Sequence, residues 1–204
     1  MRITFSSIRL VNCKTAMVAV VALCIILDPS SARADVGLPM IFLGFPFMLL
    51  AFVPVCLIEM LVFSRRMKVP FIKLGKPVVV ANLVSTLVGY PLSWLLLLAL
   101  ELLTTRGKAF GLASLWSKVI AVVFQSAWLV PYENDLRWMV PAAGIVGLVP
   151  AFFLSIWIES KVLNRFSTPP TTFLPSDVRQ ANLQSYALLL LILFIYLGYE
   201  ILRA

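Results

Sequence analysis

The sequence predicts an all-α integral membrane protein: four transmembrane helices arranged as two duplicated parallel helical hairpins, plus one amphipathic connector helix. Three observations carry that prediction. The 204-residue chain is 61% apolar (AVILMFWYC) and only 13% charged, whereas soluble domains run at about 45–50% and about 25%. A mean hydropathy of +1.00 is more apolar surface than an interior of this size can hide from water. Four apolar runs are long enough to cross a bilayer, and the chain matches itself at an offset of one hundred residues.

The first element is a targeting segment. Residues 1–14 carry Arg2, Arg9 and Lys14 and no acid. Thr15–Leu27 is an apolar stretch of thirteen, too short for a hydrocarbon core of about 30 Å. Asp28-Pro29 breaks it, and Ala32-Arg33-Ala34 supplies a small-x-small site. That order describes a cleaved secretory signal over 1–34, with an uncleaved signal anchor as the alternative. Cleavage removes Arg2, Arg9, Lys14, Arg33 and Asp28, which lowers the net charge from +8 to +5. Cys56 is then the remaining cysteine, so no intramolecular disulfide is expected in 35–204.

The membrane domain, 35–204, divides into hairpin one (38–103), a periplasmic connector (104–137) and hairpin two (138–204). Its spans are Leu38–Phe63, Val78–Leu103, Trp138–Ile158 and Leu183–Leu202. Leu112–Val130 is apolar as well, but Ser114, Ser117, Lys118, Ala121 and Gln125 share one helical stripe. Such a helix either lies in the interface or spans with its polar stripe turned to its neighbours. The loop Ser64–Pro77 holds Arg65, Arg66, Lys68, Lys73 and Lys76, which marks it cytoplasmic. If the connector does not span, Lys161, Arg165 and Arg179 fall on the same side. A five-span, inverted-repeat topology is the alternative.

The repeat favours four spans. Between 58–85 and 158–185, eleven of twenty-eight positions are identical without a gap. The matches include Glu59/Glu159, Arg65/Arg165, Asn82/Asn182 and Ser85/Ser185, which a bias toward Leu, Val and Ala does not produce. Parallel copies put both basic loops on one side, so the connector between them stays uncrossed.

The repeat also fixes where to look for function. Glu59 lies four residues before the end of its span and Asn82 four residues after the start of the next, so antiparallel neighbours bring them to one depth. Glu159 and Asn182 repeat the arrangement, Ser85 and Ser185 lie one turn deeper, and Thr86 and Gly89 extend the small, polar face. Arg65 or Lys161 is placed to neutralise a carboxylate from the loop. These two clusters either line a path for a cation or small polar solute, or hold helices together by hydrogen bonds. Glu101 and Glu200 are expected to face Arg106 and Arg203 at the opposite ends. Pro46, Pro54, Pro91, Pro141 and Pro150 sit at membrane depth as candidate kinks.

Chemistry is otherwise sparse. With no histidine there is no histidine triad, proton shuttle or metal site. No phosphate-binding loop, nucleophile elbow, C-x-x-C pair or dinucleotide fingerprint occurs. Neither a cofactor nor a metal is expected, and the chain reads as a non-enzyme. The expected partners are the lipid bilayer and a membrane protein or a second copy of the chain, not nucleic acid. The sequence thus predicts an accessory protein of the bacterial inner membrane with a periplasmic N-terminus, and alternatively a transport or permeation subunit.

Overall fold

The computed structural model describes residues 38–106, 114–129, 135–167 and 172–203. The expected signal peptide lies outside the described residues. What is described is nearly all helical. A two-residue strand β1 (Leu38–Pro39) leads into α1 (Met40–Met67). Next come α2 (Phe71–Val84), one wide π turn (Ser85–Gly89) and α3 (Tyr90–Thr105), which together run as a single 35-residue helix. The short α4 (Leu115–Phe124) and β2 (Trp128–Leu129) precede two long helices, α5 (Leu136–Asn164) and α6 (Pro175–Arg203). Four helices are thereby long and apolar enough to cross a membrane: α1, the α2–α3 run, α5 and α6. The protein is of the multi-pass membrane class.

Each long helix extends past the span read from hydropathy, and always at the basic end. Four residues beyond Phe63 include Arg65 and Arg66 in the last turn of α1, where cations oppose the negative end of the helix dipole. Left-handed backbone at Lys68 (φ 55°), followed shortly by Pro70, stops α1. Arg106 (φ 50°) ends α3, its amide bonded to the Leu102 carbonyl. In the α2–α3 run the wide turn precedes Pro91. Proline has no amide to give the carbonyl four residues back and collides with it in a tight helix, and a locally widened turn relieves that conflict.

The helices close into one bundle. α1 packs on α2 and α6, and α5 packs on α6 and on the whole α2–α3 run. Near the basic loops, Phe63, Leu74, Val78, Leu163, Phe173 and Val178 form one core, with Phe63 and Phe173 edge to face at 5.3 Å. Arg66 and Asp177 pair across this end at 2.6 Å. A second core at the opposite end joins Met40 and Met139 to Ala121, Val122 and Leu129.

Of the run expected as a helix over Leu112–Val130, the described residues 114–129 are helical over Leu115–Phe124. A capping box between Ser114 and Ser117 starts it. Tertiary bonds then pull the chain out of the helix: Met40 N and Trp94 Nε1 both donate to the Ala127 carbonyl, at 3.0 and 2.9 Å. Trp128–Leu129 pairs antiparallel with Leu38–Pro39. Ten residues rise about 15 Å, half of a hydrocarbon core. The predicted stripe turns inward at Ala121 and Gln125, which are buried, while Ser114 at its start is exposed; of the other face, Leu115, Trp116, Val119, Ile120 and Val123 are exposed and Val122 is buried. Lys118 pairs with Asp135 at 2.6 Å. That ammonium, with the Trp138 indole N–H, holds the Asp135 carboxyl below the usual carboxylate range.

Candidate functional site

All six polar residues singled out by the repeat are buried, none more than 4% exposed, and all six meet. Asn82 Nδ2 donates to Glu59 Oε2 at 2.6 Å and back to the Val78 carbonyl at 3.1 Å. One hundred residues on, Asn182 Nδ2 donates to Glu159 Oε2 at 2.6 Å and to the Val178 carbonyl at 3.2 Å. Reaching back one turn to a helical carbonyl fixes each amide's orientation, which leaves its second hydrogen for the carboxyl.

The serines do not complete the cluster of their own hairpin. Ser85 Oγ donates to Glu159 Oε1 at 2.8 Å, and Ser185 Oγ donates to Glu59 Oε1 at 2.9 Å. The two clusters expected from sequence are therefore one crossed network. Three residues past the asparagine, a helical side chain points about 60° away around the axis, toward the opposite hairpin. Each carboxyl takes one donor from its own hairpin and one from the other, so all four carboxyl oxygens accept a bond. Among the described residues, Asn182 Oδ1 is the buried side-chain oxygen left without a donor.

Neither Arg65 nor Lys161 neutralises these carboxyls, which corrects the expectation from loop charge. The ion pairs among the described residues are Arg66–Asp177 and Lys118–Asp135. Lys161 Nζ instead stands 3.7 Å over the Trp157 ring, a cation–π contact in reach of water. Glu101 does not face Arg106 either. It is 9% exposed, and its Oε2 accepts the Trp128 amide at 3.1 Å, which holds the turn after α4. Arg203 reaches Tyr199 Oη at 3.2 Å.

A cavity of about 220 Å³ rises from this network. Asn82, Ser85 and Glu159 form its polar floor, and Met40, Trp94 and Ser126 line its far end. Partway along, Ser155 Oγ and Tyr186 Oη share a hydrogen bond of 2.8 Å. Thr86 of the predicted polar face lines the cavity, whereas Gly89 packs against α5, 3.2 Å from Ile158 Cδ1 where a Cβ would stand. Sequence reasoning missed Ser155, Tyr186 and Tyr90. Tyr90 Oη lies 3.1 Å from both the Met40 and the Ile41 carbonyls, in the first turn of α1. The isolated polar group in an apolar helix was the signal available for Tyr186 and Ser155.

Among the described residues no group of three or more Cys, Asp and Glu side chains could hold a metal ion. No protein-family model, curated protein sequence or solved structure matches this chain. The fold and the site thus define a multi-pass membrane protein whose described residues include four long apolar helices with a polar network buried across them.

Proposed function

We propose that the protein is an accessory component of the bacterial inner membrane, built from two duplicated parallel hairpins and acting through membrane partners or copies of itself. The observation that carries this reading is the crossed network. Each carboxyl oxygen already has a donor, and each glutamate is served from both hairpins. That is how a lock between helices is built where lipid-like side chains supply no other directional contact. Duplication is supported by the eleven identities and by equivalent bonds recurring at the same offset. In the proposed topology the mature N-terminus is periplasmic and both basic loops are cytoplasmic. The connector then lies on the periplasmic side, with the apolar face of α4 turned to lipid and Lys118 held inward by Asp135.

Glu59→Gln and Glu159→Gln test the lock. Each keeps one oxygen for the asparagine amide but turns an NH2 group toward the serine of the other hairpin, which loses its carboxyl acceptor, so the folded yield in the membrane should fall several-fold. Alanine at the exposed neighbours Leu57 and Leu61 should leave the yield unchanged. Normal yield in both glutamine variants would overturn the reading. The second reading, a transport or permeation subunit for a cation or small polar solute, draws on the cavity that ends at Glu159. It requires those same variants to fold and to lose solute flux.

A further inference from the structure

We propose that the cavity above the network binds a small organic cation of the quaternary ammonium class, its charged head against Glu159 and its apolar part among ring side chains. The inference goes beyond the accessory reading and does not rest on it. Size comes first. An apolar cavity of about 150 Å³ accommodates benzene, so about 220 Å³ takes a ring bearing a compact substituent. Phe47, Phe52, Tyr90, Trp94, Tyr186 and Tyr196 line the space, and aromatic faces are the usual recognition surface for quaternary ammonium groups.

Charge selects the same class. Both carboxyls are buried, and the ion pairs among the described residues leave neither with a cation. Each Glu159 oxygen accepts one hydrogen bond, yet a carboxyl oxygen has two lone pairs. A quaternary ammonium needs no directed acceptor, so it adds its charge at the floor without displacing the Asn182 or Ser85 bond. Access is lateral. Of the lining side chains, Leu43 on α1 and Tyr196 on α6 are 43% and 46% exposed, which sets the open side between those two helices and toward lipid.

The test uses the full chain in lipid nanodiscs and equilibrium dialysis of labelled benzyltrimethylammonium, with its neutral isostere neopentylbenzene as competitor. One cation should bind per chain, and a tenfold excess of the isostere should leave it bound. Glu159→Gln should weaken cation binding at least tenfold. Gly147 lines the cavity, and a Cβ there meets nothing within 4 Å, so Gly147→Leu should fold normally and abolish binding by filling the space. No saturable binding at millimolar cation would overturn the proposal. So would displacement by an equal concentration of the isostere, which marks an apolar void filled by lipid tails, or wild-type binding by Gly147→Leu. If Glu159→Gln does not fold, the isostere and Gly147→Leu decide the matter alone. Folded yield reports on the lock independently, so the two readings fail separately.

Discussion

Removing the Ser185 hydroxyl should destabilise the bundle through the opposite hairpin's glutamate. Ser185→Ala takes the hydroxyl donor from Glu59 Oε1 and leaves Oε2 bonded to Asn82. In soluble proteins a hydrogen bond to a charged group is worth about 1.5–3 kcal/mol. Interhelical bonds in membranes average about 0.6 kcal/mol and reach about 1.7, because the unfolded chain in the bilayer finds other partners. Ser185 and Glu59 are 0% and 1% exposed, so no water replaces the lost donor and the upper part of that range applies. A loss of about 1–2 kcal/mol is expected.

A double-mutant cycle with Glu59→Met isolates the bond. The coupling should lie between about 0.6 and 1.7 kcal/mol, roughly 3- to 18-fold in the unfolding equilibrium. The companion cycle of Ser185→Ala with Glu159→Met, within one hairpin, should give a coupling smaller by about 0.5 kcal/mol or more. Unfolding in bicelles by added dodecyl sulfate, followed by tryptophan fluorescence, measures both. Equal couplings, or a larger one within the hairpin, would refute the crossing.

Reporter fusions after Thr105 and after Pro170 should read periplasmic and cytoplasmic respectively; two periplasmic signals would sink the parallel-hairpin topology. Gly44→Ala should cost about 1–3 kcal/mol as an overpacking substitution, because its Cβ would collide with Tyr90 Oη, an oxygen fixed by the Met40 and Ile41 carbonyls. Tyr90→Phe removes that oxygen and should rescue most of the loss in the same unfolding assay; no rescue would mean the clash lies elsewhere. Asp135 is held below its ordinary value by Lys118, so its contribution is complete above the unfolded value of about 3.9 and fades as pH falls through the lower folded value. Acid melting of Asp135→Asn should accordingly be flatter than that of the wild type below pH 4, and indistinguishable slopes would count against the pair.

The spans were legible because apolar length is a bulk signal, and their true ends were not. Arg65 and Arg66 continue α1, and Lys73 and Lys76 lie inside α2, because a helix can run past the hydrocarbon with its cations in the headgroup zone. Glu59–Asn82 and Glu159–Asn182 were legible as well, since turn position in antiparallel neighbours fixes relative depth. Rotation about the helix axis was not. That is why depth alone groups each serine with its own hairpin, and Glu101 with nearby Arg106 rather than with the Trp128 amide twenty-seven residues away. The shortening of α4 was hidden for a related reason. Nothing local in Gln125–Ala127 breaks a helix, and the competing acceptor at Ala127 is used by Met40 and Trp94 from distant parts of the chain.

The bonding at the network is two-fold, yet the space above it is not, and the residues at equivalent positions explain both facts. On the duplicated reading, each serine serves the other copy's glutamate. A change in either copy would strip a donor from a carboxyl in both hairpins' shared network, so the two copies are held alike at Glu, Asn and Ser. No such reciprocity binds the next three turns. There Gly89, Pro91 and Ser93 of the first copy stand opposite Leu189, Leu191 and Leu193 of the second. Pro91 goes with the wide turn at Ser85–Gly89, while the corresponding stretch of α6 stays regular helix. Gly89 lets α5 approach at Ile158, and Ser93 leaves room where Leu193 fills it from the other side. The asymmetry therefore begins one turn above the lock, where the mutual constraint ends, and the cavity is its product.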